Sequence, residues 1–163
     1  MTDLALRAAA TGLEVLAEAD WPGGETPPRL AGFVHSDFNP LVAAVAGRCL
    51  DGVSTSDTDT AVVLVSDLGD VGSAAHVAKA VDDGARVGPL FFFQSVPNAV
   101  LGHIAAKWAL TGPVSCVCDA AAGLSTARGL LADGDADRVL LIEIDHDSNG
   151  DAAAAVLVSE GAS

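Results

Sequence analysis

Short runs of apolar, mostly β-branched residues separated by alanine- and glycine-rich helical stretches constrain this chain most strongly. Ala61–Val65 (AVVLV), Val114–Cys118 (VSCVC) and Val139–Asp145 (VLLIEID) are each too short for a buried helix. A continuous apolar run of that length suits a strand covered on both faces. Strands alternating with helices specify α/β layers on a mainly parallel sheet. At 163 residues and 50% hydrophobic composition, one such domain fits the whole chain and can bury its own core. Roughly a fifth of the chain is alanine, so the core must rely on close approach between small side chains.

The remaining elements follow from local signals. Thr2 can cap a helix over Asp3–Ala19, where Leu6, Ala9, Leu13 and Leu16 recur at helical spacing. WPGGETPP ends it, and LAGFVHS from Leu30 reads as a short strand. Asn39-Pro40 signals a helix start running to Leu50, with Asn39 as its cap. Ser73–Asp83 reads as a helix stopped by Gly84, and ARVGPLFFFQSVPN as an extended, irregular segment. Helices follow over Pro97–Leu110 and, capped by Asp119, over Ala120–Ala132. Ala152–Ser159 is a last strand, antiparallel to Val139–Asp145 across a type I′ turn at Asn149-Gly150.

Charge excludes some partners. Eight Lys and Arg against 22 Asp and Glu give a net charge of −14, which repels nucleic acid and anionic membrane surfaces. No apolar run reaches the roughly 18–20 residues of a membrane span. Asp3 interrupts the N-terminus where a signal peptide would be basic and then apolar. Cys49, Cys116 and Cys118, odd in number and set in apolar stretches, read as buried thiols of a reducing cytoplasm.

Several motifs approach known chemistry and stop short of it. SDLGDVGS has glycines between a strand and a helix, but it lacks the phosphate-loop lysine, and Asp67 and Asp70 would repel phosphate. Asp145-His-Asp147-Ser-Asn149-Gly150 opens like a calcium loop, yet Val156 stands where a bidentate Glu must close the shell. Cys116, Cys118 and His103 are three soft ligands without the second pair that a tetrahedral site requires, so no metal and no cofactor is expected. Cys118, just before a helix start, is the best-placed nucleophile, although Asp119 beside it opposes thiolate formation. None of His35, His76, His103 and His146 has a spacing that marks it as the base. Asp119 is a helix cap first and a lone acid second.

Pro89–Phe93 followed by Ser95-Val96-Pro97-Asn98, then Leu110-Thr111-Gly112-Pro113, a strand, an Ala-Gly helix and Gly134-Asp135-Ala136-Asp137-Arg138-Val139, form an ordered series. It resembles the N-terminal half of β-ketoacyl synthases, most closely their divergent chain-length-factor-like branch. The resemblance covers roughly residues 60–160, with residues 1–55 matching only loosely. It implies half of a thiolase-like fold: layered helices on a mixed five-stranded sheet with a C-terminal antiparallel hairpin. In active members the nucleophilic cysteine lies three residues before the helix glycine, and counting back from Gly123 reaches Ala120; a one-residue gap would bring Asp119 there, and Cys118 would need a two-residue shift. The family's catalytic histidines and second half would follow beyond Ser163.

The resemblance therefore implies a catalytically silent subunit in polyketide or fatty-acid-type biosynthesis. Such a subunit would pair with a ketosynthase or with itself, with an acyl carrier protein as a further partner. Half a fold should leave an apolar face exposed for that pairing. The interface expected from the family comprises Phe91, Phe92, Phe93, Gln94, Pro97 and Asn98, with Val114, Cys116, Val117 and Cys118 on the strand that crosses the dimer axis. The alternative is a small acyl-transferring enzyme using Cys118 or His103.

Overall fold

The computed structural model describes residues 1–146 and 150–161. The elements run α1 (Asp3–Ala10), β1 (Leu13–Trp21), α2 (Phe38–Leu50), β2 (Thr60–Val65), α3 (Val71–Asp82), α4 (Pro89–Ser95), α5 (Pro97–Trp108), β3 (Val114–Val117), α6 (Ala120–Ala132), β4 (Arg138–Asp145) and β5 (Ala152–Glu160). The five strands form one mixed sheet in the order β1-β5-β4-β2-β3. β4, β2 and β3 are parallel, and β5 is antiparallel to both β4 and β1.

Alternation along the central strands builds two cores. Val62, Leu64, Leu140 and Ile142 point to one face, where Leu41, Val45, Leu101 and Ile104 of α2 and α5 cover them. Ala61, Val63, Val139 and Leu141 point to the other, beneath Leu4 and Ala8 of α1 and Leu124 and Ala127 of α6. Every residue of β2 is buried, as its unbroken apolar run requires. Both sheet faces are thus covered. Helix α1 lies with α6 over the second core, and the exposed apolar residues expected of a pairing surface include Leu90, Phe92 and Phe93 on α4 and Val114 on the edge strand β3.

The first helix is shorter than its apolar spacing predicts. It ends at Ala10, and Gly12, at φ +88°, turns the chain into β1. Leu13-Glu-Val-Leu-Ala-Glu-Ala-Asp-Trp21 fits period two as well as it fits helical spacing. Period two wins because β5 supplies a hydrogen-bonding partner along nearly its whole length. Leu16, placed on the helical stripe, is 41% exposed.

Three further expectations are corrected. The segment from Leu30 makes only an isolated bridge between Leu30 and Phe33, so β1 is the fifth strand. Pro89–Ser95 is helix α4, since Pro89 occupies the first turn, where its missing N–H costs nothing. Asn39 lies inside α2, with Asp37 at the cap position, and its buried side chain donates to Asp70 Oδ2 at 3.2 Å and the Gln94 carbonyl at 3.1 Å. Asp147 and Asn149 of the expected turn and calcium-like loop lie outside the described residues.

Candidate functional site

Because β2, β3 and β4 are parallel, their C-terminal ends emerge together at one end of the sheet, where α/β proteins place ligands. The turn from β3 into α6, Cys118-Asp119, sits there. Extended backbone at Asp119 (φ −145°, ψ 159°) lets its carboxylate accept the Ala122 N–H at 2.8 Å and cap α6. Helix α6 approaches the sheet closely at Gly123, where a Cβ would stand 2.5 Å from Val65 Cγ2. Ala120, the first residue of α6, therefore has a fixed place at the mouth of the sheet.

A cleft of about 630 Å³ opens at this mouth, walled by Leu4 and Arg7 of α1, Trp21, Val65, Ile144 and the Cys118–Ala120 turn. Six carboxylate residues (Asp3, Asp20, Asp67, Asp119, Glu143 and Asp145) line it against the single cation Arg7. Arg7 forms a two-pronged pair with Glu143, one arm measuring 3.2 Å. Its Nε lies 2.8 Å from Asp3 Oδ2 but off the hydrogen-bond direction. The bond to Glu143, opposed by partial burial, holds the guanidinium even more firmly protonated than usual. The cleft is therefore acidic, with its one cation already neutralised, and it suits neutral or apolar ligands better than anionic ones.

The thiols differ more than their shared apolar settings suggest. Cys49 is buried, and desolvation pushes it up to about 12. Cys116 is half-buried on β3, packs against the α2–α5 core and is raised by burial first and then by Cys118. Cys118 is exposed, one residue past the end of β3, with its sulfur 3.7 Å from Asp119 Oδ2. The expectation of three buried thiols fails here because β3 ends at Val117.

The structure brings Cys118, Asp119 and Ala120 together in the cleft and leaves His103 out of it. His103 is on α5, edge-on to Phe33 at 6.2 Å, beside the opposite core. No histidine lines the cleft among the described residues, and no three metal-ligating side chains converge. Of the expected interface residues, Phe91 is buried against His35 and His76 at 5.0 Å from each, whereas Phe92 and Phe93 are 67% and 65% exposed. Gln94 and Pro97 are half-buried and Asn98 is exposed. Val114 is exposed, while Cys116 and Val117 are half-buried on β3, which is an edge strand.

Two groupings had no sequence signal strong enough to find them. Arg7 meets Glu143 only through the tertiary fold. Ser66 Oγ lies 3.4 Å from His146 Nε2, whose Nδ1 lies 3.1 Å from Asp151 Oδ1. The grouping resembles a hydrolase triad, but Ser66 is buried, already accepts the Gly69 N–H, and does not line the cleft at the sheet mouth. It ties the β2–α3 turn to the start of β5.

The family profile of the β-ketoacyl synthase N-terminal domain matches residues 36–151, from the start of α2 to the entry of β5. The chain belongs to that family. No curated protein matches it. Among solved structures it is similar to the complex of the ketosynthase ApeO with its chain length factor ApeC from Xenorhabdus doucetiae. That match has a TM-score of 0.71 at 15% identity and covers 93% of this chain and 80% of the other. The ishigamide ketosynthase/chain length factor matches with TM-score 0.68 at 20% identity, over 80% of this chain and 45% of the other. A β-ketoacyl synthase from Burkholderia phymatum matches with TM-score 0.65 at 14% identity, over 95% and 54%. At these identities the likeness is one of fold: this mixed sheet and its helices are those of a thiolase-like ketosynthase half. The chain spans about half the length of the last two.

Proposed function

We propose that this chain is a catalytically silent, chain-length-factor-like subunit of polyketide or fatty-acid-type biosynthesis, pairing with a ketosynthase and helping to shape its acyl channel. The observation that carries this reading is Ala120. It begins α6 at the mouth of the cleft, where the family pattern places the nucleophilic cysteine, and a methyl group cannot form a thioester. The pairing surface would use Phe91, Phe92, Phe93, Gln94, Pro97 and Asn98, together with Val114, Cys116, Val117 and Cys118. Exposed Phe92 and Phe93 are its natural anchors, since buried aromatics dominate interface energetics. An acyl carrier protein would meet the complex through the ketosynthase, because this chain's own cleft is acidic.

Co-expression with a ketosynthase encoded in the same genome, followed by native mass measurement, tests the reading. A one-to-one complex is expected, and the two chains remaining separate would overturn it. One observation favours a second reading: Cys118 is an exposed thiol in the cleft. It would make the chain a small acyl-transferring enzyme. Acyl transfer from a carrier-bound thioester that disappears in Cys118→Ala would establish that reading in place of the first.

A further inference from the structure

Helix α3 is the most weakly anchored element of the fold. Ser73 is its only buried residue, and it lies in the first turn. There the Asp70 carboxylate accepts the Ser73 N–H at 2.9 Å, the Ser73 hydroxyl at 2.6 Å and the Asn39 amide of α2 at 3.2 Å. Gly72 brings the same turn against the segment before α2, since a Cβ there would stand 2.9 Å from Ser36 Oγ. Past this turn α3 buries no residue, and Val81 is left in solvent.

A three-ring grouping holds the helix beyond its first turn. His76, about one turn after Ser73, stacks on His35 with ring centroids 4.2 Å apart and planes 24° from parallel. Both rings lie 5.0 Å from Phe91 of α4, which is buried. The grouping therefore joins the segment before α2, α3 and α4. Both histidines are exposed, so protons reach them freely. The in-plane nitrogen lone pairs of rings stacked this way do not converge, which argues against a shared metal ion.

Neutral imidazoles stack as aromatic rings do, and a charged ring over a neutral one is still attracted. Two charged rings repel. At 4.2 Å, two unit charges shift an equilibrium about fivefold even at the dielectric constant of water. The charged groups on the elements that meet here are Asp37 at the cap position of α2, Asp67 and Asp70 before α3, Lys79 paired with Asp83 at 2.7 Å, Asp82 at the end of α3, and Arg86 before α4. Helix α4 itself carries no charge. Those on α3 stay with His76, and Asp37 stays with His35, whether or not the rings meet. Ring-on-ring repulsion exists only in the stack.

We propose that the His35–His76 stack is an acid-sensitive clasp, docking α3 on the body of the fold while at least one ring is neutral and releasing it when both are protonated. An imidazole in water titrates at about pH 6.5, so docking prevails at pH 8 and weakens towards pH 5. The opening is local, because the Asp70 cap keeps the first turn in place and the fully buried strand β2 is not involved. This device stands apart from the proposed function.

Hydrogen–deuterium exchange of the full chain at pH 5 and pH 8, corrected for intrinsic exchange rates, tests it. Amides from His76 to Asp82 should open about fivefold more often at pH 5 than at pH 8, measured against β2. His76→Phe keeps an aromatic stack without a charge, so it should abolish the difference while keeping α3 protected at pH 8. His35→Phe applies the same test from the other ring. His146 meets Ser66 in the turn before α3, and His146→Gln should leave the difference intact. Thermal unfolding of each variant confirms that it is folded. Equal protection at both pH values, a difference that survives both Phe variants, or one abolished by His146→Gln would overturn the inference.

Discussion

Replacing Gly123 by alanine probes how the functional turn is held in place. A Cβ at Gly123 would stand 2.5 Å from Val65 Cγ2 and 3.2 Å from Leu141 Cδ1. Neither neighbour yields easily: both belong to central strands hydrogen-bonded on two sides, and both are buried in the α1–α6 core. Overpacking of this kind costs about 1–3 kcal/mol. The new methyl group also gains about 1 kcal/mol of helix propensity. With rigid neighbours the clash should sit at the upper end, leaving a net loss of about 2 kcal/mol. At Gly129, on the same helix, a Cβ would meet nothing within 4 Å, so Gly129→Ala should gain about 1 kcal/mol. The two variants then differ by about 3 kcal/mol, or more than about 1 M in urea midpoint at a slope of about 2 kcal/mol per M. Paired urea titrations followed by far-ultraviolet circular dichroism measure this. If Gly123→Ala stabilised the protein as much as Gly129→Ala, the close seating of α6, and with it the placement of Ala120, would be wrong.

Other consequences are equally direct. At pH 8 a disulfide-exchange reagent should label one thiol quickly, and Cys118→Ser should abolish that phase, because burial raises Cys116 and pushes Cys49 up to about 12. Asp70 accepts the Ser73 N–H at 2.9 Å and the Asn39 amide at 3.2 Å, so Asp70→Ala should lose about 2 kcal/mol in urea titration through the cap and the stranded amide. The Thr2 N–H holds the Glu18 carboxyl below its ordinary range. A lowered carboxyl stabilises the fold above its unfolded value near 4.5 and loses that contribution as pH falls through the folded value. Glu18→Gln should therefore lower Tm at pH 7, by a margin that shrinks as pH falls below 4.5.

The central strands were legible because their burial on both faces forces a continuous apolar run, as in Ala61–Val65. The turn into α6 was legible where local chemistry defines it, since Asp119 caps the helix, whereas the significance of Ala120 rests on the family resemblance. The first strand was not, since Leu13–Trp21 satisfies two periods at once and only the presence of β5 selects one. Asn39 was misplaced because its partners, Asp70 and the Gln94 carbonyl, are distant in sequence. The Arg7–Glu143 pair is hidden for the same reason.

Catalytic silence at Ala120, the first residue of α6, is open to test by intact-protein mass spectrometry. The purified chain would be incubated with an acyl N-acetylcysteamine thioester, alone and together with the co-expressed ketosynthase. An acyl adduct on the ketosynthase and none on this chain is the expected result. An adduct on this chain that vanishes in Cys118→Ala would contradict it.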